Sequence, residues 1–320
     1  MKILFITSTR IGDAVLSTGL LHHLVARHPG ARVTIACGPA PVPLFVGVPG
    51  LDRVIVLAKR PLASHWLRLW AACAPVAWDL VVDLRQSLAS RLLSTRERKA
   101  LRGGRGQEHQ VRRLGAVLGL DPPPSPHLWI GAREAAEAAR LIPAGPPVLG
   151  LGPTANWAPK AWPADRFVAL AERLTGRDGL LPGARIAVFG ADNERAMAAP
   201  VVAALPADRR IDLAGRTGLG VAAACFARVA LYIGNDSGLM HMAAAAGIPT
   251  LGLFGPSPAA VYAPWGDRAA FVSTAIPFER LVGASGFDHR ATACLMDSLS
   301  VDAAHAGAVA LWRRCRGEAA

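Results

Sequence analysis

The run ALYIGNDSGLMHMAAAAGIPTLGLFGPSP, residues 230–258, limits the fold more than any other stretch of this chain. Leu231-Tyr232-Ile233 is a short apolar run of the kind that forms a strand buried on both faces. Gly234, Asn235, Asp236, Ser237 and Gly238 follow, all turn or N-cap residues, where a helix must begin. A small-residue helix over 241–246 leads through Gly247-Ile248-Pro249 to a second apolar strand, 250–254, and the turn Gly255-Pro256-Ser257-Pro258. That pattern is one βαβ unit, and such a unit requires a parallel sheet. Open parallel sheets bind ligands beyond the carboxyl ends of their strands. Here that place is the turn holding Asp236 and Ser237. Its small residues let the backbone approach a ligand, and the helix N-terminus offers free N–H groups and a positive dipole to an anion such as phosphate. Ser237 and His241 stand at i and i+4, on one face. Helix capping accounts for one polar residue at such a turn; this one gathers four polar side chains and two glycines.

The same alternation runs through the rest of the chain, in two halves. The first half reads as strands over 2–9, 32–37, 54–57 and 79–84 with helices over 12–27, 65–73 and 108–118. Residues 95–106, charged and glycine-rich, read as a mobile loop. Proline clusters at 122–126 and 143–147 break the pattern, the second being the better linker. Beyond it come strands over 148–151, 185–189 and 211–213, helices over 164–174, 193–205 and 219–227, and the unit already described. A last helix spans 301–314, with Ser300 placed to cap it. The expected fold is α/β, two Rossmann-like doubly wound domains facing a cleft. The expected domains are 1–143 and 144–300, with 301–320 a C-terminal helix that could pack back on the first domain.

At 320 residues the chain suits two domains, and its 52% hydrophobic content excludes disorder. No apolar run reaches the roughly 18 residues of a spanning helix, and Thr7-Ser8-Thr9-Arg10 come too early for a signal peptide. Cysteines 37, 73, 225, 294 and 315 are an odd, scattered set that fits reduced cytosolic thiols. The net charge of +12 is uneven. Residues 1–140 hold 19 Lys+Arg against 9 Asp+Glu, while 141–320 hold 16 against 14. Arg91, Arg96, Arg98, Lys99, Arg102 and Arg105 are nearly contiguous. A basic surface attracts nucleic acid, anionic membrane or a phosphorylated substrate, and it is also what an arginine-rich composition produces by itself. No aromatic residues interleave with this run, which argues against nucleic acid.

Three further turns carry candidate chemistry. Thr9-Arg10-Ile11-Gly12-Asp13 follows the first strand; Asp13 suits a helix cap or a ligand-facing carboxylate. After the first strand of the second half come Thr154, Ala155, Asn156 and then Lys160-Ala161-Trp162-Pro163. Lys160 is one of only four lysines beside 31 arginines, as if a compact point charge were wanted. Asp192 and Glu194 follow the next strand, where a carboxylate can accept from ribose hydroxyls or simply start a helix. No P-loop, GxGxxG, HExxH or D-x-D pair is present.

In these turns the chain resembles the lipopolysaccharide heptosyltransferases, glycosyltransferase family 9. The likeness lies in R-I-G-D-A-V-L-S-T around Asp13, K-A-W-P at Lys160, and N-D-S-G-L-M-H followed by L-F-G-P-S. It implies the GT-B architecture, with the acceptor in the first domain and the sugar nucleotide in the second. It implies inverting, metal-independent transfer of a heptose or related sugar, from ADP-heptose to a lipopolysaccharide core or related surface glycan. Asp13 would be the general base. Thr154, Lys160, Glu194, Asp236, Ser237, Gly238 and His241 would contact the donor, leaving open whether Thr154 or Asn156 meets the diphosphate. No cofactor or metal is implied. The partners would be the nucleotide sugar, a phosphorylated lipid-linked glycan and an anionic membrane met peripherally at its cytoplasmic face. Alternatives are the same fold with another nucleotide sugar and acceptor, or a nucleotide-binding protein without catalysis.

Overall fold

The apolar N-terminal run forms β1 (Lys2–Ile6), buried after its first residue, and β1 becomes the middle strand of a parallel sheet. A computed structural model describes residues 1–59, 61–103, 106–283, 288, 290 and 293–318; Arg105 lies outside these. The chain divides into two units, Met1–Gly131 and Ala132–Ala320.

In the first unit β1 is followed by α1 (Ile11–Arg27), β2 (Arg32–Cys37), β3 (Leu51–Val56), α2 (Ser64–Cys73), β4 (Trp78–Asp83), α3 (Leu88–Arg91), β5 (Thr95–Ala100) and α4 (Gln110–Gly115). Strand order is β3-β2-β1-β4-β5, all parallel. The order reverses at β1, so the turn after β1 is a switch point. β5 corrects the loop expected over 95–106. Its sequence TRERKA has no apolar face, yet it pairs along β4 from Thr95 to Ala100. An edge strand needs only its backbone to pair on one side, and charged side chains keep further strands off the other.

The second unit opens with α5 (Ala132–Leu141), then β6 (Val148–Gly152), α6 (Ala164–Thr175), β7 (Arg185–Val188), α7 (Arg195–Ala204), β8 (Arg210–Asp212) and α8 (Leu219–Phe226). β9 (Leu231–Asn235), α9 (Gly238–Ala245), β10 (Thr250–Phe254), α10 (Ala259–Tyr262), β11 (Ala269–Ser273), α11 (Phe278–Val282) and α12 (Val301–Arg316) complete it. The six parallel strands run β11-β10-β9-β6-β7-β8. β6 and β9 are central and wholly buried, so the switch point lies between them.

One boundary differs from expectation. The division falls after Gly131, not at 143, because α5 packs on α8. The proline cluster at 143–147 therefore joins two elements of one unit. The C-terminal helix belongs to the second unit. α12 lies against α6, β10 and β11, burying Ala304, Ala308 and Leu311 in a core shared with Leu251 and Leu253. Its small alanines at i and i+4 let it sit close to the sheet. All five cysteines are free thiols, and burial pushes Cys37 up to about 12.

Candidate functional site

The switch point of the second unit gathers three turns, one after each of β6, β7 and β9. Its floor is built by two glycines that pair across the central strands, Gly152 on β6 and Gly234 on β9. A Cβ on Gly152 would lie 1.8 Å from the Tyr232 hydroxyl, and one on Gly234 2.6 Å from it. Only glycine lets that ring fit beneath the strand ends. Burial pushes the Tyr232 hydroxyl well above the ordinary phenol range, so it stays protonated.

The turn after β6 ends in a short 3₁₀ turn, Ala158–Lys160. Trp162, 2% exposed, anchors it by donating Nε1–H to Leu299 O at 2.9 Å. The Trp162 backbone N–H donates to Asn235 Oδ1 at 3.1 Å, tying this turn to the end of β9. Asn235 is thus the clasp that sets Lys160 opposite Asp236. Lys160 Nζ donates to Asp236 Oδ2 at 2.5 Å, with side chains 21% and 8% exposed. His241 Nε2, on the first turns of α9, stands 3.9 Å from the other Asp236 oxygen. One carboxylate therefore sits between two nitrogen groups, mostly out of water.

Capping does not consume these polar groups. Ser237 is the N-cap residue of α9, but its side chain makes no cap bond. Among the described residues Asn235 Nδ2 and Ser257 Oγ are buried without a hydrogen bond, while the buried Ser237 and Tyr232 hydroxyls meet only each other. Each such orphan costs about 1–3 kcal/mol unless a partner arrives. Gly238 opens α9 and adds no side chain that would crowd the helix N-terminus.

At the turn after β7, Glu194 Oε2 accepts from Thr154 Oγ1 at 2.7 Å and from the Ala191 N–H at 3.2 Å. Glu194 thus both tightens its own turn and holds Thr154, which is fully buried. Asp192 and Asn156 are exposed. The hydroxyl of Thr154 already has an acceptor, whereas Asn156 is open to solvent.

In the first unit, Asp13 lies in the first turn of α1, after β1. The N-cap residue is Arg10, which makes no side-chain cap bond. Ser8 Oγ accepts from the Arg10 N–H at 3.2 Å and donates to Asp13 Oδ2 at 3.4 Å. Asp13 is half-buried and oriented by a single weak contact, so its carboxylate keeps free lone pairs.

A cavity of about 210 Å³ in this unit was not anticipated. It opens at the carboxyl ends of β1, β3 and β4, lined among others by Thr7, Thr9, Lys59, His65, Trp66 and Arg85. Arg85 is positioned by Asp83. That buried carboxylate accepts from the Arg85 N–H at 2.8 Å, the Ser87 N–H and Oγ at 2.7 Å each, and Ser90 Oγ at 2.6 Å. The signal was present in the sequence, since Lys59 is another of the four lysines.

Comparison with known proteins decides the family. The model of "Glycosyltransferase family 9 (heptosyltransferase)" matches residues 85–281, more than half of the chain. The chain belongs to glycosyltransferase family 9. This family 9 transferase is 24% identical to lipooligosaccharide heptosyltransferase 2 of Haemophilus influenzae, over 85% of this chain and 88% of that protein. Its fold matches a family 9 glycosyl transferase of Veillonella parvula at a TM-score of 0.79, with 22% identity and 97% of each chain covered. An Escherichia coli heptosyltransferase solved with ADP matches at 0.71, with 18% identity, over 97% of this chain and 100% of that one. The family 9 transferase is thus an α/β enzyme of GT-B architecture, as its sequence motifs implied. Among its described residues no helix is long and apolar enough to cross a membrane, and no group of three or more His, Cys, Asp or Glu could hold a metal ion.

Proposed function

We propose that this enzyme transfers a heptose from ADP-heptose to a lipopolysaccharide core or a related surface-glycan acceptor, inverting the anomeric centre. The observation that carries the donor side is the buried polar set at the β6/β9 switch point. Lys160, the N–H groups opening α9, His241 and the buried Ser237 hydroxyl, which makes no cap bond, together suit a diphosphate. Asp236 holds Lys160 in place, and Glu194, kept rigid by Thr154, suits the ribose hydroxyls. Asn156 is the better diphosphate contact of the two candidates, because the Thr154 proton is already donated. No cofactor or metal takes part: as the sugar C1–O bond to the diphosphate breaks, Lys160 and the helix N–H groups take up the charge on the leaving ADP.

On the acceptor side Asp13 acts as general base. The acceptor oxygen bonds to C1 while its proton passes to the Asp13 carboxylate. One displacement without a covalent intermediate inverts the anomer. The relatives' printed names, lipooligosaccharide and lipopolysaccharide heptosyltransferases, support the acceptor class. A phosphorylated, lipid-anchored acceptor fits the basic first half, and it places the enzyme peripherally at the cytoplasmic face of an anionic membrane. The test is a thermal-shift series with ADP-, UDP- and GDP-sugars, followed by anomer assignment of the product by NMR. Stabilisation by ADP-heptose alone, and an inverted product, are expected. Stabilisation by UDP- or GDP-sugars only would end the ADP reading, and a retained anomer would end the single displacement.

A further inference from the structure

The first unit turns an apolar surface outward in a region crowded with cations. Leu62 is wholly exposed, Leu88 and Leu92 are 72% exposed, Leu67 65% and Trp70 37%. Isolated exposed leucines are ordinary; adjoining ones mark an interaction site. These adjoin. Leu69 and Cys73 of α2 bury themselves in the same core cluster as Ala89 and Leu93 at α3, against Leu4, Ile6 and Val81 of the sheet. α2 and α3 also pack on each other. Both helices therefore cover one side of the sheet, and their outward residues form one face. Leu67 and Trp70 are spaced i, i+3 on α2, while Leu88 opens the single turn of α3 and Leu92 follows its end.

The segments that carry the patch hold cations and no carboxylate of their own. Residues 57–78 and 84–96 contain no Asp or Glu, but they contain Lys59, Arg68, Arg85 and Arg91. Arg68 and Arg91 stand on the two helices themselves, exposed among the leucines. Leucine and tryptophan mixed with exposed arginine is the composition of a helix surface that lies in a bilayer interface. A second copy of the chain is a poorer occupant. A two-fold dimer would set this face against itself, bringing the arginines of both copies together with no carboxylate between them.

We propose that the α2–α3 face seats the enzyme on a bilayer carrying anionic headgroups. Leu62, Leu67, Leu88 and Leu92 enter the interface, Trp70 lies at its boundary, and Arg68 and Arg91 meet headgroup phosphates. This deepens the membrane contact of the proposed function and stands apart from the chemistry of transfer.

The experiment omits donor and acceptor. The purified protein is sedimented with vesicles of phosphatidylcholine alone, or of equal parts phosphatidylcholine and phosphatidylglycerol. The parent should bind the anionic vesicles and let go as salt rises. Substituting Leu67→Ser, Leu88→Ser and Leu92→Ser together should weaken that binding at least about tenfold. These side chains are exposed, so the melting temperature should hold. The triple variant should also keep the parent rate of transfer to a delipidated, soluble acceptor, which separates this proposal from the assigned reaction. Bromine-labelled lipid should quench part of the tryptophan emission, and Trp70→Phe should abolish that part. A parent that ignores anionic vesicles, or a triple variant that binds them as the parent does, overturns the proposal. So does a triple variant whose only change is its oligomeric state on size exclusion.

Discussion

The Lys160–Asp236 pair gives the sharpest prediction, because folding and binding respond to it in different ways. Its side chains are 21% and 8% exposed, so each charge relies on the other. In Lys160→Ala the Asp236 carboxylate keeps only His241, at 3.9 Å. Breaking a buried pair from one side costs about 3–5 kcal/mol. Because Lys160 is partly wet, about 3 kcal/mol is the expected figure. For a unit of this size that is a fall of roughly 6–12 °C in melting temperature. Asp236→Ala strands the lysine and should cost somewhat less, since Lys160 can turn to water. Replacing both, Lys160→Met with Asp236→Leu, removes the stranded charge and should recover most of the loss. ADP affinity should not recover, because the cation proposed to face the diphosphate is gone. Denaturant unfolding supplies the stability cycle, and calorimetry with ADP supplies the binding. A double variant that loses the sum of the single losses would show no coupling and would refute the pairing. Full ADP affinity in the double variant would refute the site.

Asp13→Asn should lower kcat by about 10²–10⁴ with donor affinity and melting temperature unchanged, because Asp13 makes no capping bond to lose; parent turnover would end its role as base. His127 stacks on His22 at 4.0 Å, and burial together with that neighbour pushes its pKa below the ordinary 6.5. The unfolded state therefore binds protons first, so stability should fall as pH drops below about 6.5, and His127→Phe should flatten that slope in melting curves. Gly152→Ala forces a Cβ to 1.8 Å from the Tyr232 hydroxyl and should cost about 1–3 kcal/mol or more; adding Tyr232→Phe should return part of it, and no rescue would mean the clash lies elsewhere.

Much of this architecture was legible from period and punctuation. β2 was expected where it lies, over 32–37, because β-branched Val33, Thr34 and Ile35 sit in a short run bounded by Pro29-Gly30 and Gly38-Pro39. The turns at Asp236, Lys160 and Glu194 were legible because polar and small residues collect where strands end. The failures have physical causes. β5 was missed because edge pairing uses the backbone, which composition does not report. α5 went unread because it buries only Ala138 of its ten residues, and with it the boundary slipped to the next proline cluster. That Thr154 donates to Glu194 and Asn235 accepts from Trp162 could not be read at all. Each bond joins residues 40 or 73 positions apart, and only the closed sheet brings them together.

Both sheets start from their middle: β1 and β6 are the first strands of their units, and later strands are added outward on either side. The first unit, moreover, takes its strands from residues 2–100 and is complete by Gly131. At roughly 5–20 residues per second, a ribosome needs on the order of ten to forty seconds to make the remainder. For that interval the nascent chain already carries all five strands of its first sheet. A ribosome stalled beyond residue 131, with enough further chain to clear its exit tunnel, should therefore display a protease-resistant first half.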